Sequence, residues 1–125
     1  MRQWDATDLA LFTDTDEMQI APLNPDSVTY RRPTVIWMMV VDGGLYARAN
    51  RGLHSHWYQA PIAQRAGRIT VADRTYEVTF EREKPALRSA VEDAMRTKYA
   101  HSPFLSPTAP ARTREAGVHI TPRSP

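Results

Sequence analysis

Thr34-Val35-Ile36-Trp37-Met38-Met39-Val40-Val41, Asp42-Gly43-Gly44 and Leu45-Tyr46-Ala47-Arg48-Ala49-Asn50 form one continuous stretch whose pattern sets the frame for the rest of the chain. Both alternating faces of the first run are apolar, as in a strand covered on two sides. Asp42, Gly43 and Gly44 tolerate the positive φ of a tight hairpin turn, so the chain reverses there. In the returning strand the two faces differ. Leu45, Ala47 and Ala49 share one side, and Tyr46, Arg48 and Asn50 share the other. With the small apolar face on the core, three hydrogen-bonding side chains stand in a row beside the loop Arg51-Gly52-Leu53-His54-Ser55-His56-Trp57-Tyr58. That row and loop form the candidate site.

Outward from this hairpin, Asp5 is placed to cap a short helix through Phe12, with acidic residues in the first turn where the helix dipole favours them. Leu9 and Phe12 are expected to cover a barrel end. Glu17 to Pro22 reads as a short strand, and Pro22 and Pro25 bracket a turn. Val28 to Arg32 reads as extended, since Pro33 keeps Arg32 out of helical geometry. Beyond the site, residues from Trp57 to Ala66 suit a short helix with Pro61 near its first turn and Gly67 as its terminator. Arg68 to Ala72 and Thr75 to Glu81 alternate as half-buried strands across Asp73-Arg74, with Ile69, Val71, Tyr76, Val78 and Phe80 inward.

Pro85 opens a periodic helix to about Ala100. Leu87, Val91, Ala94, Met95 and Lys98/Tyr99 lie along one side, and Arg88, Glu92 and Arg96 are spaced for i,i+4 pairs. Pro103, Pro107 and Pro110 break regular structure after His101, so residues 101–125 read as a Pro-rich wrapping tail. Within it, Gly117 to Thr121 is a candidate strand at a sheet edge or on a partner subunit. The order is helix, strand, hairpin, short helix, hairpin, long helix, strand. It describes an α+β domain over residues 1–100, built on a small closed or nearly closed antiparallel barrel of about six strands.

The 125 residues suffice for one domain with its own core. At 42% hydrophobic and 24% charged, the composition is that of a folded chain, not a disordered one. With no cysteine, disulfides, thiolate nucleophiles and cysteine-ligated metals are excluded. No leader-like run and no stretch approaching the roughly 18 apolar residues of a membrane span is present, which gives the expectation of a cytoplasmic protein. Lysine occurs only at Lys84 and Lys98. The basic residues are scattered, not gathered into a stripe, which disfavours nucleic-acid binding. No phosphate-loop, nucleophile-elbow or kinase motif appears.

The site residues admit specific chemistry. Arg48 and Arg51 present paired donors that match phosphate or carboxylate, and the alternative is surface salt bridging. His54 and His56 titrate near neutrality and suit acid or base roles, but no nearby carboxylate or cysteine completes a metal site with them. Trp57 and Tyr58 offer ring surfaces that either stack on a ligand or anchor a helix to the core. Tyr46 shares a face with Arg48, so its hydroxyl is a candidate proton donor.

Trp4-x-x-x-x-Leu9, Glu17-Met18-Gln19-Ile20-Ala21-Pro22, Trp37-x-x-x-Val41, Leu45-Tyr46-x-Arg48, Arg51-Gly52, Trp57-Tyr58 and Lys98-Tyr99 follow one another in order. In this the chain resembles the DUF2255 family of uncharacterised bacterial proteins. Residues 42–80 are also similar to the split β-barrel of deazaflavin-dependent nitroreductases and pyridoxamine-phosphate-oxidase-like proteins, where a hairpin is followed by a Trp-Tyr helix and a second hairpin. The resemblance implies a split barrel that pairs into a homodimer. It further implies FMN or the deazaflavin F420 in a groove beside the strand that leads into Trp57, with Arg48, Asn50 and Arg51 toward its phosphates and Trp57 and Tyr58 by its ring. The corresponding activity is oxidoreduction of a small organic molecule. Two other readings stay open: a cofactor-independent cyclase or isomerase using the barrel pocket, with proton transfer by Tyr46, His54 or His56, and a non-catalytic ligand-binding module.

Overall fold

The computed structural model describes residues 4–26, 28–48, 61–100 and 117–123, with Arg48 described for its backbone alone. Helix α1 (Ala6–Asp14) begins where the Asp5 carboxylate accepts the Asp8 N–H at 2.8 Å, satisfying one of the free donors of the first turn. Strands β1 (Glu17–Pro22), β2 (Thr34–Val41) and β3 (Gly44–Arg48) follow. After a helical turn over 61–64 come β4 (Ala66–Val71) and β5 (Arg74–Arg82). A single 3-10 turn (Pro85–Leu87) leads into helix α2 (Arg88–Lys98), and β6 (Gly117–Pro122) ends the fold.

The six strands close into one antiparallel barrel in the order β1-β2-β3-β6-β5-β4. The expected six-stranded antiparallel α+β barrel is what forms, with one correction. β6 is neither an edge strand nor an addition to a partner, because it lies between β3 and β5, with Arg48 opposite Gly117 and Val78 opposite Pro122. The folded unit therefore extends past residue 100.

Alternation along each strand sends one set of side chains inside. Met38, Leu45, Ala47, Ile69, Val71, Val78, Phe80, Val118 and Ile120 have no exposed surface. Phe12 plugs one end with Trp4 and Tyr76 in edge-to-face contacts at 4.8 and 5.6 Å. Trp4 Nε1 ties that plug to the Ile120 carbonyl at 2.9 Å. The interior is thus a packed core, and the expectation of a barrel pocket does not hold among the described residues.

A second apolar layer lies outside the barrel, where Met39 and Tyr46 meet Val91, Met95 and Tyr99 of α2 and its C-terminal end. Trp37 belongs here, stacked on Tyr99 at 4.1 Å. The two-sided burial expected for β2 holds where α2 covers it and fails at Val35, which is 55% exposed. The seam is closed by hydrogen bonds. One rung past the last β1–β2 pair, Glu17 with Trp37, the Tyr99 hydroxyl accepts the Met38 N–H at 3.0 Å and donates to the Asp16 carbonyl. A side chain of α2 thereby substitutes for a missing rung of the sheet. Burial pushes this phenol up to about 12, so it stays protonated.

The turns carry their own signals. Asp42 and Gly43 sit at φ 49° and 78°, as the hairpin requires. The second hairpin turns at Ala72, φ 56°, one residue before the expected Asp73-Arg74. Gly67 does not terminate a helix. Arg65, at φ 61°, ends the helical turn, and Gly67 is an inward position of β4. A Cβ there would lie 2.7 Å from the Ala21 carbonyl oxygen and 2.9 Å from the Phe80 ring, so the residue is small because the barrel closes tightly against it.

Gly67→Ala is expected to lower unfolding free energy by about 1–3 kcal/mol, the usual cost of overpacking, read as a drop in the urea midpoint at constant slope. Tyr99→Phe is expected to cost about 2 kcal/mol in the same measurement, because it strands a buried N–H and a carbonyl while keeping the ring.

Candidate functional site

β3 carries Leu45 and Ala47 into the core and Tyr46 onto the outer face, as the alternation predicts. Tyr46 does not stand free there. It is 4% exposed, its ring lies over Gly44, and the imidazole of His119 on β6 stacks on it at 4.7 Å and an interplanar angle of 13°. The register accounts for the pair, since Tyr46 and His119 are directly opposed across β3 and β6. Burial, then the negative charges of Glu83 and Asp42, push the Tyr46 phenol above its ordinary value. It is therefore a neutral hydrogen-bond donor at physiological pH and cannot act as a base.

Glu83 completes the outer face. It is 6% exposed, its N–H donates to the Gly117 carbonyl at 3.0 Å, and its carboxylate occupies the space that a side chain on Gly117 would fill. Gly117 is the rung opposite Arg48. A buried carboxylate thus sits at the very position along the sheet where the sequence supplies an arginine. Burial, the larger influence, pulls the His119 imidazole below its ordinary value against the opposing pull of Glu81, with Lys84 acting in the same direction as burial.

Of the residues singled out from sequence, Tyr46 and the backbone of Arg48 belong to this face, while Asn50, Arg51, His54, His56, Trp57 and Tyr58 lie outside the described residues. His119 and Glu83 were missed. The alternation Val118-His119-Ile120 is the signal that would have turned His119 outward, but nothing local in the chain says that it faces Tyr46. Glu83 is hidden in the run Glu81-Arg82-Glu83-Lys84, which looks like a solvated surface.

A closed six-strand barrel with one covering helix and an aromatic outer face places the chain in the split β-barrel class. Over residues 8–120 it matches the model of uncharacterised proteins conserved in bacteria, DUF2255, and it belongs to that family. No curated protein matches it. Among solved structures, a conserved hypothetical protein from Mycobacterium tuberculosis superposes with a TM-score of 0.70 at 17% identity, over 98% of this chain and 83% of the other. An F420 reductase gives 0.61 at 19% identity over 92% of both chains. A FAD-binding protein from Mesorhizobium loti gives 0.57 at 14%, over 95% and 88%. At these identities the likeness is one of fold. No helix among the described residues is long and apolar enough to cross a membrane.

The depressed His119 pKa has a definite sign. Below about pH 6.5 the unfolded chain takes up a proton there that the folded chain refuses, so stability falls as pH drops through that window. Wild type is expected to lose more unfolding free energy than His119→Gln between about pH 7 and pH 5, measured by urea denaturation, with the His119 NMR titration midpoint below 6.5.

Proposed function

We propose that this protein binds a flavin or deazaflavin, FMN or F420, on the outside of its barrel and uses it for a redox step on a small organic molecule. The observation that carries this reading is where ligand space is left. The interior is filled by side chains with no exposed surface, which leaves the outside of the barrel. Since Tyr46 on β3 is itself covered by α2 and His119, the half-buried His119 ring is the aromatic edge a ligand would meet beside the strand that runs on into residues 49–60. The named cofactor use of two structural neighbours, an F420 reductase and a FAD-binding protein, supports it.

The described residues of this face fit a planar ring better than they fit a phosphate. His119, half-buried on the Tyr46 ring, offers an aromatic edge, but the Glu83 carboxylate over Gly117 repels an anion at the Arg48 rung. The anionic tail is accordingly assigned to Asn50 and Arg51, farther along the chain. Trp57 and Tyr58 border the ring. Tyr46, kept protonated by burial, donates a hydrogen bond, and His54 or His56 moves a proton at the substrate. When bound, the cofactor supplies the hydride chemistry itself. The protein acts as a homodimer whose second copy closes the groove over this face. The filled interior weighs against a cyclase or isomerase that folds its substrate inside the barrel.

Fluorescence titration with FMN and with F420 is expected to show saturable binding of one of them at micromolar concentration, with a dimer in native mass spectrometry. Arg51→Ala should weaken that binding at least about ten-fold, a loss of roughly 1.4 kcal/mol. Failure of both cofactors to bind the purified full chain would sink the reading.

A further inference from the structure

Beside α2, the end of α1, the strand β2 and the outer turns of α2 border an open cleft of about 490 Å³. It is lined by the apolar Met39, Val40 and Ala94 and by the polar Thr13, Asp93, Thr97 and Lys98. This is the size of a small-molecule site, mostly apolar with a few convergent polar groups. Lysine is scarce in the chain, and one of its two lysines is placed here.

The Lys98 nitrogen is held at two points. It donates to the Phe12 carbonyl at 2.8 Å and to the Met38 carbonyl at 3.1 Å. An ammonium has three N–H donors, and a neutral amine has two donors and a lone pair. In the neutral form, therefore, the two carbonyls engage both N–H groups and leave the lone pair for the remaining direction. The nitrogen has no carboxylate within ion-pair distance among the described residues.

We propose that this cleft is a second ligand site, for small apolar aldehydes or ketones, which Lys98 holds as an imine. The Lys98 lone pair attacks the carbonyl carbon, and the carbonyl π pair moves to oxygen. The oxygen takes up the proton released from nitrogen and a second proton from solvent and departs as water, as the C=N bond forms. The resulting iminium keeps one N–H, enough for one of the two backbone carbonyls. No oxidant or reductant enters the step. Burial pulls the amine down to about 8, against the opposing charges of Asp16 and Asp14, so a usable fraction is neutral near physiological pH. Asp93 on α2 is the further acidic group facing the cleft.

The test uses the chain's own second lysine as its control. The full protein is incubated with benzaldehyde and sodium cyanoborohydride, which traps an imine as a stable secondary amine, and the peptides bearing Lys98 and Lys84 are quantified by mass spectrometry. Lys98 is expected to be benzylated at least about ten-fold faster than the exposed Lys84, with a rate that rises with pH through a midpoint near 8. Ala94→Phe, which fills the cleft but leaves Lys98 in place, should abolish that preference. Equal labelling of the two lysines in the wild-type protein, or undiminished Lys98 labelling in a folded Ala94→Phe variant, would overturn the proposal. Because the reagent touches neither flavin nor the Tyr46 face, this outcome is independent of whether a cofactor binds.

Discussion

Closure of the sheet rests on β6, a strand supplied by the last residues of the fold and inserted between β3 and β5. Without it the two hairpins β2–β3 and β4–β5 would meet only through β1, and the backbone donors and acceptors of β3 and β5 would face outward unpaired. Because β6 brings Val118 and Ile120 into the interior, the same strand that completes the hydrogen bonding also completes the core. Sheet closure and core filling are thus one event, and it involves residues some seventy positions apart in the chain.

Filling the interior dictates where function can reside. A barrel this small has room inside for its own side chains and little else. Among the described residues, two of the outer surfaces differ in kind. The β3–β6 face is aromatic and holds a buried carboxylate. The α2–β2 side is apolar and holds a partly buried amine. Helix α2, which borders both, is fastened by adjacent residues: Tyr99 replaces a rung of the sheet at Met38, and Lys98 bonds the carbonyls of Met38 and Phe12. One dipeptide therefore joins α1, β1, β2 and α2, which gives a physical meaning to the Lys98-Tyr99 pair noticed in the sequence.

Much of the architecture was legible in local pattern. The alternation of Ile69, Val71, Val78 and Phe80, the Asp42-Gly43 turn, the Asp5 cap and the periodic face of Val91, Met95 and Tyr99 all follow from periods of 2.0 and 3.6 acting on apolar residues. Local pattern misled where a residue's reason is distant. Gly67 looks like a helix terminator because glycine often is one, yet it is small because Phe80 and the backbone of Ala21 press on it across the barrel. Trp37 looks like an interior residue because its strand is apolar on both faces, yet its partner is Tyr99 on the outer helix.

Strand identity, hairpin positions to within a residue, the helix faces and the absence of cysteine chemistry were determined by the sequence alone, since each depends on spacing or composition within a few residues. Only the tertiary structure decided that β6 is a central strand, that Tyr46 is stacked beneath His119, that Glu83 is buried over Gly117 and that Lys98 borders a cleft. The reason is the same in all four cases. Strand order and helix docking are settled by which distant surfaces bury the most apolar area and leave the fewest backbone groups unpaired, and that comparison exists only once the chain has closed on itself.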